Sequence, residues 1–133
     1  MAISTLRKLE ELGIRFCLCG SYGMRFIRQP NDIDISIHPE DYDKLKELFP
    51  GKEEKAHGDT RKYTIAFSIE CFPDSYPLGF SYPEVEKDLV YDSHMFKTWS
   101  IHTVRDWKVA FGRDKDLEDI KSIDDFLDCI ATE

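Results

Sequence analysis

The chain has 133 residues, of which 41% are hydrophobic and 13% aromatic, and its formal net charge is −8. This size and composition predict a single domain, residues 1–133, whose apolar core folds without disulfides or a structural metal. The net negative charge argues against a protein that wraps duplex DNA, because phosphate contacts supply most of the affinity of such proteins. It does not exclude an RNA ligand.

Targeting signals and cysteine usage give the expected compartment. No apolar run approaches the ~20 residues of a membrane span, and the first 13 residues mix charged and apolar side chains, unlike a secretory signal. Neither the cysteines nor the histidines have the spacing of zinc ligands or of a disulfide framework. We therefore expect a cytoplasmic protein with reduced, mostly buried thiols and no membrane contact, and any metal should be bound by oxygen.

Hydrophobic periodicity and turn residues predict alternating helices and strands in the first half of the chain. In chain order these are a helix at 4–12, a strand at 14–19, a Gly20-Ser21 turn with a short helical piece at 22–27, a strand at 32–37 and a helix at 39–49. The inner stripe of the last helix is predicted to include Leu45 and Leu48.

The second half of the chain predicts more strands and two further helices. The predicted elements are a hairpin at 55–72 turning near Gly58-Asp59, an irregular loop at 73–83, two short strands within 89–101, a helix beginning with a Thr103/Asp106 capping box and ending at Phe111, and a helix at 116–130. The last helix is predicted to face inward with Leu117, Ile120, Ile123, Leu127 and Ile130. The resulting fold class is α+β, with a small mixed sheet flanked by helices.

The strand predicted at 32–37 alternates strictly between polar residues and isoleucine. Side chains two apart share a face of a strand, so Asp32, Asp34 and Ser36 should project together while the isoleucines enter the core. Paired carboxylates are suitable ligands for Mg²⁺ or Mn²⁺ carrying the phosphates of a nucleotide. The alternative is a solvated edge strand, although aspartate is disfavoured in strands and like charges on one face repel.

Three other features are compatible with a phosphate and metal site. The Gly20-Ser21 turn, between a strand and a helical piece, could present backbone N–H groups and a hydroxyl to an anion, or could be an ordinary turn. Glu70 lies on the polar face of a largely apolar stretch at 64–72, where it could be a third carboxylate of the site or an ordinary surface residue. Arg25 and Arg28 could neutralise phosphate charge, although surface arginines are common.

These residues together resemble the nucleotidyltransferase superfamily, whose fold is like that of DNA polymerase beta. The likeness consists of a strand ending in Gly-Ser, a gap of 11 residues from Ser21 to Asp32, and an Asp-hydrophobic-Asp-hydrophobic strand. A later stretch is similar to that of small bacterial members, which include antibiotic-modifying enzymes and toxins of abortive-infection and toxin–antitoxin systems. Its matching residues are Lys108, Arg113, Lys115, Asp116, Asp119 and Ile120.

The resemblance implies a metal-dependent transfer of NMP from an NTP, with ATP the expected one, to a hydroxyl acceptor. Asp32 and Asp34 would bind the metals, with Glu70 as the third ligand and an aid to deprotonation of the acceptor. The nucleotide would be held by Gly20, Ser21, Arg28 and Lys108. From the residues themselves, Asp116 and Asp119 are expected to have a structural role at a solvated helix start.

The acceptor remains open at this stage, as a small molecule, a protein or tRNA. Family members that modify antibiotics or tRNA usually carry a further helical domain for the acceptor, and none of that size follows Ile120. A second subunit in a homodimer could complete the site, or the chain could be an inactive binding module, such as an antitoxin or assembly partner. A tRNA-end modifier is the third alternative.

Overall fold

The computed structural model describes residues 2–131, which form an α+β fold around one seven-stranded mixed sheet. Across the sheet the order is β3-β4-β5-β2-β1-β7-β6. The pairs β1–β7 and β2–β5 are parallel and the others antiparallel. The strands are β1 (Phe16–Cys19), β2 (Asp34–Ile37), β3 (Lys52–Lys55), β4 (Arg61–Thr64), β5 (Glu70–Phe72), β6 (Leu89–Tyr91) and β7 (Lys97–Trp99).

Five α-helices are present within residues 2–131. They are α1 (Ala2–Glu11), α2 (Tyr42–Leu48), α3 (Tyr82–Val85), α4 (Ile101–Phe111) and α5 (Asp114–Ala131). Short 3-10 turns cover Gly20–Met24, Pro39–Asp41, Ala66–Ser68 and Glu86–Asp88. In this part of the chain no helix is long and apolar enough to cross a membrane. The predicted α+β class with a mixed sheet is therefore confirmed.

Alternation along the central strands directs side chains into two separate apolar clusters. Ile35 and Ile37 of β2 join Leu6 and Leu9 of α1 in the first cluster. Cys17 of β1 belongs to the second cluster, together with residues of α3, α4 and α5. Asp34 and Ser36 have the opposite parity to the two isoleucines, so they lie on the sheet face that is covered by α4 and α5.

Several element boundaries differ from the predictions. The strand predicted at 32–37 begins only at Asp34. The stretch 64–72 is broken by the turn Ala66–Ser68, where Phe67 has a φ of 62° and is 59% exposed instead of facing the core. That turn is closed by a hydrogen bond from Ile65 N–H to Ile69 O. Helix α4 begins earlier than predicted, since Ser100 is its N-cap and accepts from Thr103 N–H.

The inner faces of two helices are also shifted. Leu48 of α2 is exposed, as are Leu117 and Ile130 of α5. In their place Asp116 and Asp119 are buried near the start of α5, in line with the buried Ile123. Spacings of three and four residues put these two aspartates and Ile123 on one helix face, so the face that packs on α4 begins polar and ends apolar.

Candidate active site

Asp34 and Glu70 are neighbours across two parallel strands. Asp34 is the first residue of β2, Glu70 is the first residue of β5, and the two residues are paired in the sheet register. Residues at paired positions project from the same face of a sheet. Both carboxylates therefore lie on the face covered by α4 and α5, at one end of their strands.

The turn after β1 lies directly against the Asp34 carboxylate. Gly20 follows Cys19, which pairs with Asp34 in the antiparallel β1–β2 ladder. Gly20 has a φ of +64°, a conformation that glycine adopts without strain, and a Cβ built on it would be 3.5 Å from Asp34 Oδ2. The glycine thus permits the sharp turn, and an added Cβ would be in ordinary van der Waals contact with the carboxylate.

Asp34 is mostly buried among other negative charges. Burial raises the pKa of Asp34 to about 7, and the charges of Glu70 and Asp32 contribute in the same direction. Lys62 acts in the opposite direction, and its ammonium lies 3.0 Å from Glu70 Oε2. The hydrogen bond to Glu70 in turn raises the pKa of Lys62. A positive charge near Asp34 and Glu70 is therefore electrostatically favourable.

Asp32 is not on the sheet face that the alternating pattern predicts. It lies two residues before β2 begins and is exposed. Its charge still contributes to raising the pKa of Asp34, and its side chain lines a cavity together with Asp34. Asp32 is thus near Asp34 but precedes the strand that positions Asp34 beside Glu70.

Lys108 of α4 lies at the centre of a buried network of charges. Its ammonium is 2.9 Å from Asp119 Oδ2 and 3.5 Å from Asp116 Oδ1, and it donates to Ser21 Oγ at 3.3 Å. Arg28 donates two hydrogen bonds to Asp119, at 2.8 and 2.7 Å, and a weaker one to Ser21 Oγ at 3.3 Å. The network attaches the Gly20-Ser21 turn to α4 and α5.

The aspartates of this network are kept ionised by their partners. The Arg28 guanidinium is the largest influence that lowers the pKa of Asp119, which is about 2, and Lys108 contributes further. Burial opposes the ionisation of Asp116, yet the Arg113 guanidinium, 2.8 Å away, leaves the pKa of Asp116 below its ordinary value. The expected role at a solvated helix start is therefore wrong, because both aspartates are buried and paired with basic side chains.

Two cavities meet at Gly20 and Asp34. The larger, of ≈ 330 Å³, contains Glu70 and Lys62 and a wall of aromatic side chains. The smaller, of ≈ 200 Å³, is lined by four basic residues, three aspartates and the Ser21 hydroxyl. The basic residues of the smaller cavity are Arg28, Lys108, Arg113 and Lys115. The smaller cavity, with one more basic than acidic residue, and the aromatic cavity therefore share one carboxylate, Asp34.

Comparisons of the chain with models of known families, with curated proteins and with solved structures found no match. The geometry of its own residues is therefore the basis for assigning a function.

The carboxylates fit a divalent cation that arrives with a substrate better than a cation bound by protein alone. Within residues 2–131 no group of three or more His, Cys, Asp or Glu side chains is arranged to hold a metal ion. Mg²⁺ is usually held in proteins by one or two carboxylates together with substrate phosphates and water. Asp34 and Glu70 supply two such oxygen donors, and a cation would relieve the repulsion that, after burial, contributes to the raised pKa of Asp34.

Most of the residues proposed from sequence come together, with one exception. Gly20, Ser21, Arg28 and Lys108 line the smaller cavity with Asp32 and Asp34, whereas Glu70 lines the larger one. Arg25 does not join them, because its guanidinium lies over the ring of Tyr22, 4.9 Å from the centroid. Sequence reasoning missed Lys62, since a lysine on a predicted hairpin carries no sign of its partner across the sheet.

Proposed function

We propose that the chain is a metal-dependent nucleotidyltransferase that moves NMP from an NTP, with ATP the expected donor, to a hydroxyl acceptor. The observation that carries this proposal is the in-register pair Asp34 and Glu70 beside the Gly20 turn. Asp34 lines both cavities and has Glu70 beside it in the sheet, an arrangement that is suited to a reaction between a polyphosphate in one cavity and another compound in the other. The resemblance to the nucleotidyltransferase superfamily supports the same assignment.

The smaller cavity is proposed to bind the triphosphate. Its basic side chains and the Ser21 hydroxyl supply donors to phosphate oxygens, and Asp119 orients two of the cations by binding both Arg28 and Lys108. Lys108 is almost completely buried, so it contributes a fixed positive charge behind Ser21 more than a flexible contact. Fixed charge of this kind costs no reorganisation during the reaction.

Asp34 and Glu70 are proposed to hold Mg²⁺ or Mn²⁺, with Asp32 as a further acidic group at the edge of the site. A bound divalent cation would neutralise negative charge that develops on the phosphates. The acceptor oxygen forms a bond with the α-phosphorus, the bond to the bridging oxygen breaks, and pyrophosphate leaves. Glu70 accepts the hydroxyl proton, while the turn and the charge network position the reacting groups.

The ion pair between Lys62 and Glu70 favours a second candidate function. At 3.0 Å, Lys62 already supplies a positive charge where a cation would bind. A chain that relies on Lys62 for this charge would bind a nucleotide or another anion without divalent metal and without transfer. Such a protein would be a binding or regulatory module, for example an antitoxin or an assembly partner, and not an enzyme.

The test uses α-labelled ATP with Mg²⁺ and separate acceptor mixtures of small molecules, tRNA and protein. The enzyme proposal predicts that wild type transfers label from ATP to a component of one of these mixtures. Asp34→Asn and Glu70→Gln should each lose this transfer. Asp125→Asn is the matched control, because it removes one exposed charge on α5 away from both cavities. Label transfer that persists at the wild-type rate in Asp34→Asn would refute the assigned site.

A further inference from the structure

Six aromatic side chains form a continuous wall along the larger cavity. The rings of His57 and Tyr76 are stacked, with centroids 4.7 Å apart, and both contact Phe111 edge-on. The chain of contacts continues from Phe111 through Trp107 and Trp99 to Phe80, with centroid distances of 5.2, 5.7 and 5.9 Å. All six residues line the cavity. Aromatic faces of this kind are suited to stacking with another planar ring.

The wall is built by four separate parts of the chain. His57 comes from the β3–β4 turn, Tyr76 from the loop after β5, Trp99 from the end of β7 and Phe111 from the end of α4. Trp107 Nε1 donates to Tyr76 O at 3.2 Å and so fixes the loop to α4. Tyr76 is nevertheless 49% exposed. Four segments of the chain therefore converge on one partly open aromatic surface beside Asp34 and Glu70.

The charged groups along this cavity are balanced. Asp34, Glu70 and Asp74 are matched by three basic side chains, Lys55, Lys62 and Arg113. A balanced lining gives no general preference for a polyanion or a polycation, whereas the lining of the smaller cavity has four basic residues and three acidic ones. The volume of ≈ 330 Å³ is near the lower end of the range for ligand pockets. Both properties favour a small ligand without a large net charge.

We propose that the aromatic cavity is the acceptor site and takes a small, neutral compound with a planar aromatic ring and a hydroxyl group. The proposal rests on the proposed nucleotidyltransferase function, because it assigns the triphosphate to the other cavity. The ring would stack on the aromatic wall, and the hydroxyl would lie near Glu70, which takes its proton as the oxygen attacks the α-phosphorus. Pyrophosphate then leaves with the electrons of the broken phosphorus–oxygen bond.

Ring binding can be measured without metal or nucleotide, and so separately from transfer. The probe is N-acetyltyrosinamide, which is neutral, planar at its ring and hydroxylated, and the control ligand is inositol, which is neutral and hydroxylated but not aromatic. Both tryptophans of the chain line the cavity. We expect saturable shifts of both indole N–H resonances with the probe and none with inositol. Equal binding of the two compounds, or no binding of the probe at millimolar concentration, would overturn the proposal.

Variants that remove single rings test whether the wall makes the contact. Tyr76→Leu and Phe111→Leu should each weaken probe binding about tenfold or more, since stacking is lost while apolar volume is retained. Tyr91→Leu is the matched control, because Tyr91 is 61% exposed on the edge strand β6 and away from the cavity. Equal affinity in all three variants would contradict the assignment of the site.

Competition with Mg²⁺–ATP distinguishes an acceptor site from a site for the base of the nucleotide. The proposal predicts that saturating Mg²⁺–ATP leaves the affinity for N-acetyltyrosinamide unchanged or improves it. Competitive displacement would show that the aromatic cavity holds the nucleotide's own base, and would overturn the acceptor assignment. If the probe binds but Asp34→Asn leaves Mg²⁺–ATP binding intact, the proposed function fails while the ring site stands.

Discussion

The ammonium of Lys108 lies 2.9 Å from the carboxylate of Asp119, and both side chains are shielded from solvent. Burial of charge is costly, and this pair is stable because Asp116, Arg28 and Ser21 complete its contacts. The pair connects the two C-terminal helices to the turn that lies against Asp34. Stability of the fold and geometry of the candidate site therefore depend on the same side chains.

Lys108→Met should strongly destabilise the protein. The substitution keeps an apolar side chain of similar length but removes the charge that contacts Asp119 and Asp116, so these buried carboxylates keep only Arg28 and Arg113 as charged partners. Removing one partner of a buried ion pair typically costs up to about 3–5 kcal/mol. Urea denaturation would measure the free energy of unfolding. The control is Lys121→Met, which removes an exposed charge from α5. A loss below about 1 kcal/mol for Lys108→Met would show that the network contributes little to stability.

Gly20→Ala should reduce both stability and nucleotide binding. At a φ of +64° an alanine costs about 1–2 kcal/mol, and its Cβ would lie 3.5 Å from Asp34 Oδ2. Gly58→Ala is a close control, because Gly58 has a φ of +60° with no atom within 4 Å of the added Cβ. Both variants should lose similar stability, and only Gly20→Ala should weaken Mg²⁺–ATP binding. Equal effects of the two variants on binding would contradict a role for the Gly20 turn.

Asp34 should make the protein less stable as the pH rises from about 4 to about 7. Its pKa is raised to about 7 in the folded chain, from an ordinary value near 3.8. Between these values the folded state holds a proton that the unfolded state has released, so stability present at low pH is lost as pH rises. The loss should be roughly 2–4 kcal/mol.

Asp34→Asn is the variant that isolates this effect, because it removes the titrating group. From pH 4 to pH 8 the free energy of unfolding of Asp34→Asn should therefore increase relative to that of wild type. Asp119 does not interfere, since its pKa of about 2 places its contribution below this range. Urea denaturation at pH 4.5, 6 and 7.5 gives the comparison. A constant difference at all three pH values would contradict the raised pKa.

Only one of the four thiols should react rapidly with a thiol reagent in the folded protein. Cys17, Cys19 and Cys71 are buried, and burial raises the pKa of each, in Cys17 to about 12. Cys129 is exposed on α5. Titration with a chromogenic disulfide should therefore give one fast equivalent, which Cys129→Ser removes, and three more after denaturation. Rapid reaction of more than one thiol would contradict the core packing.

Much of the sheet and half of the site follow from local patterns in the sequence. Alternation in 33–37 places Asp34 opposite an isoleucine face, and glycine at position 20 marks the turn. Asp32 could not be placed in the same way, because alternation of residue types does not show where backbone pairing begins. In the structure the strand begins at Asp34. The proximity of Glu70 to Asp34 depends on the parallel pairing of β2 with β5, which is a long-range property.

The remaining errors also have long-range causes. Phe67 fits the apolar alternation of 64–72, and no local signal reveals the positive φ that turns it outward. Asp116 and Asp119 have the composition of a solvated helix start, and their burial depends on Lys108 and Arg28 from other elements. The one signal of this burial in the sequence is the spacing that puts both aspartates on the same helix face as Ile123.

The most direct test of the central claim is calorimetric titration of the protein with ATP in the presence and absence of Mg²⁺. We predict that Mg²⁺ increases ATP affinity in wild type and in Asp125→Asn, and that Asp34→Asn and Glu70→Gln lose this increase, with affinity for Mg²⁺–ATP lowered about tenfold or more. Circular dichroism verifies that each variant is folded. Wild-type affinity for Mg²⁺–ATP in folded Asp34→Asn and Glu70→Gln would contradict a metal–nucleotide site at these carboxylates.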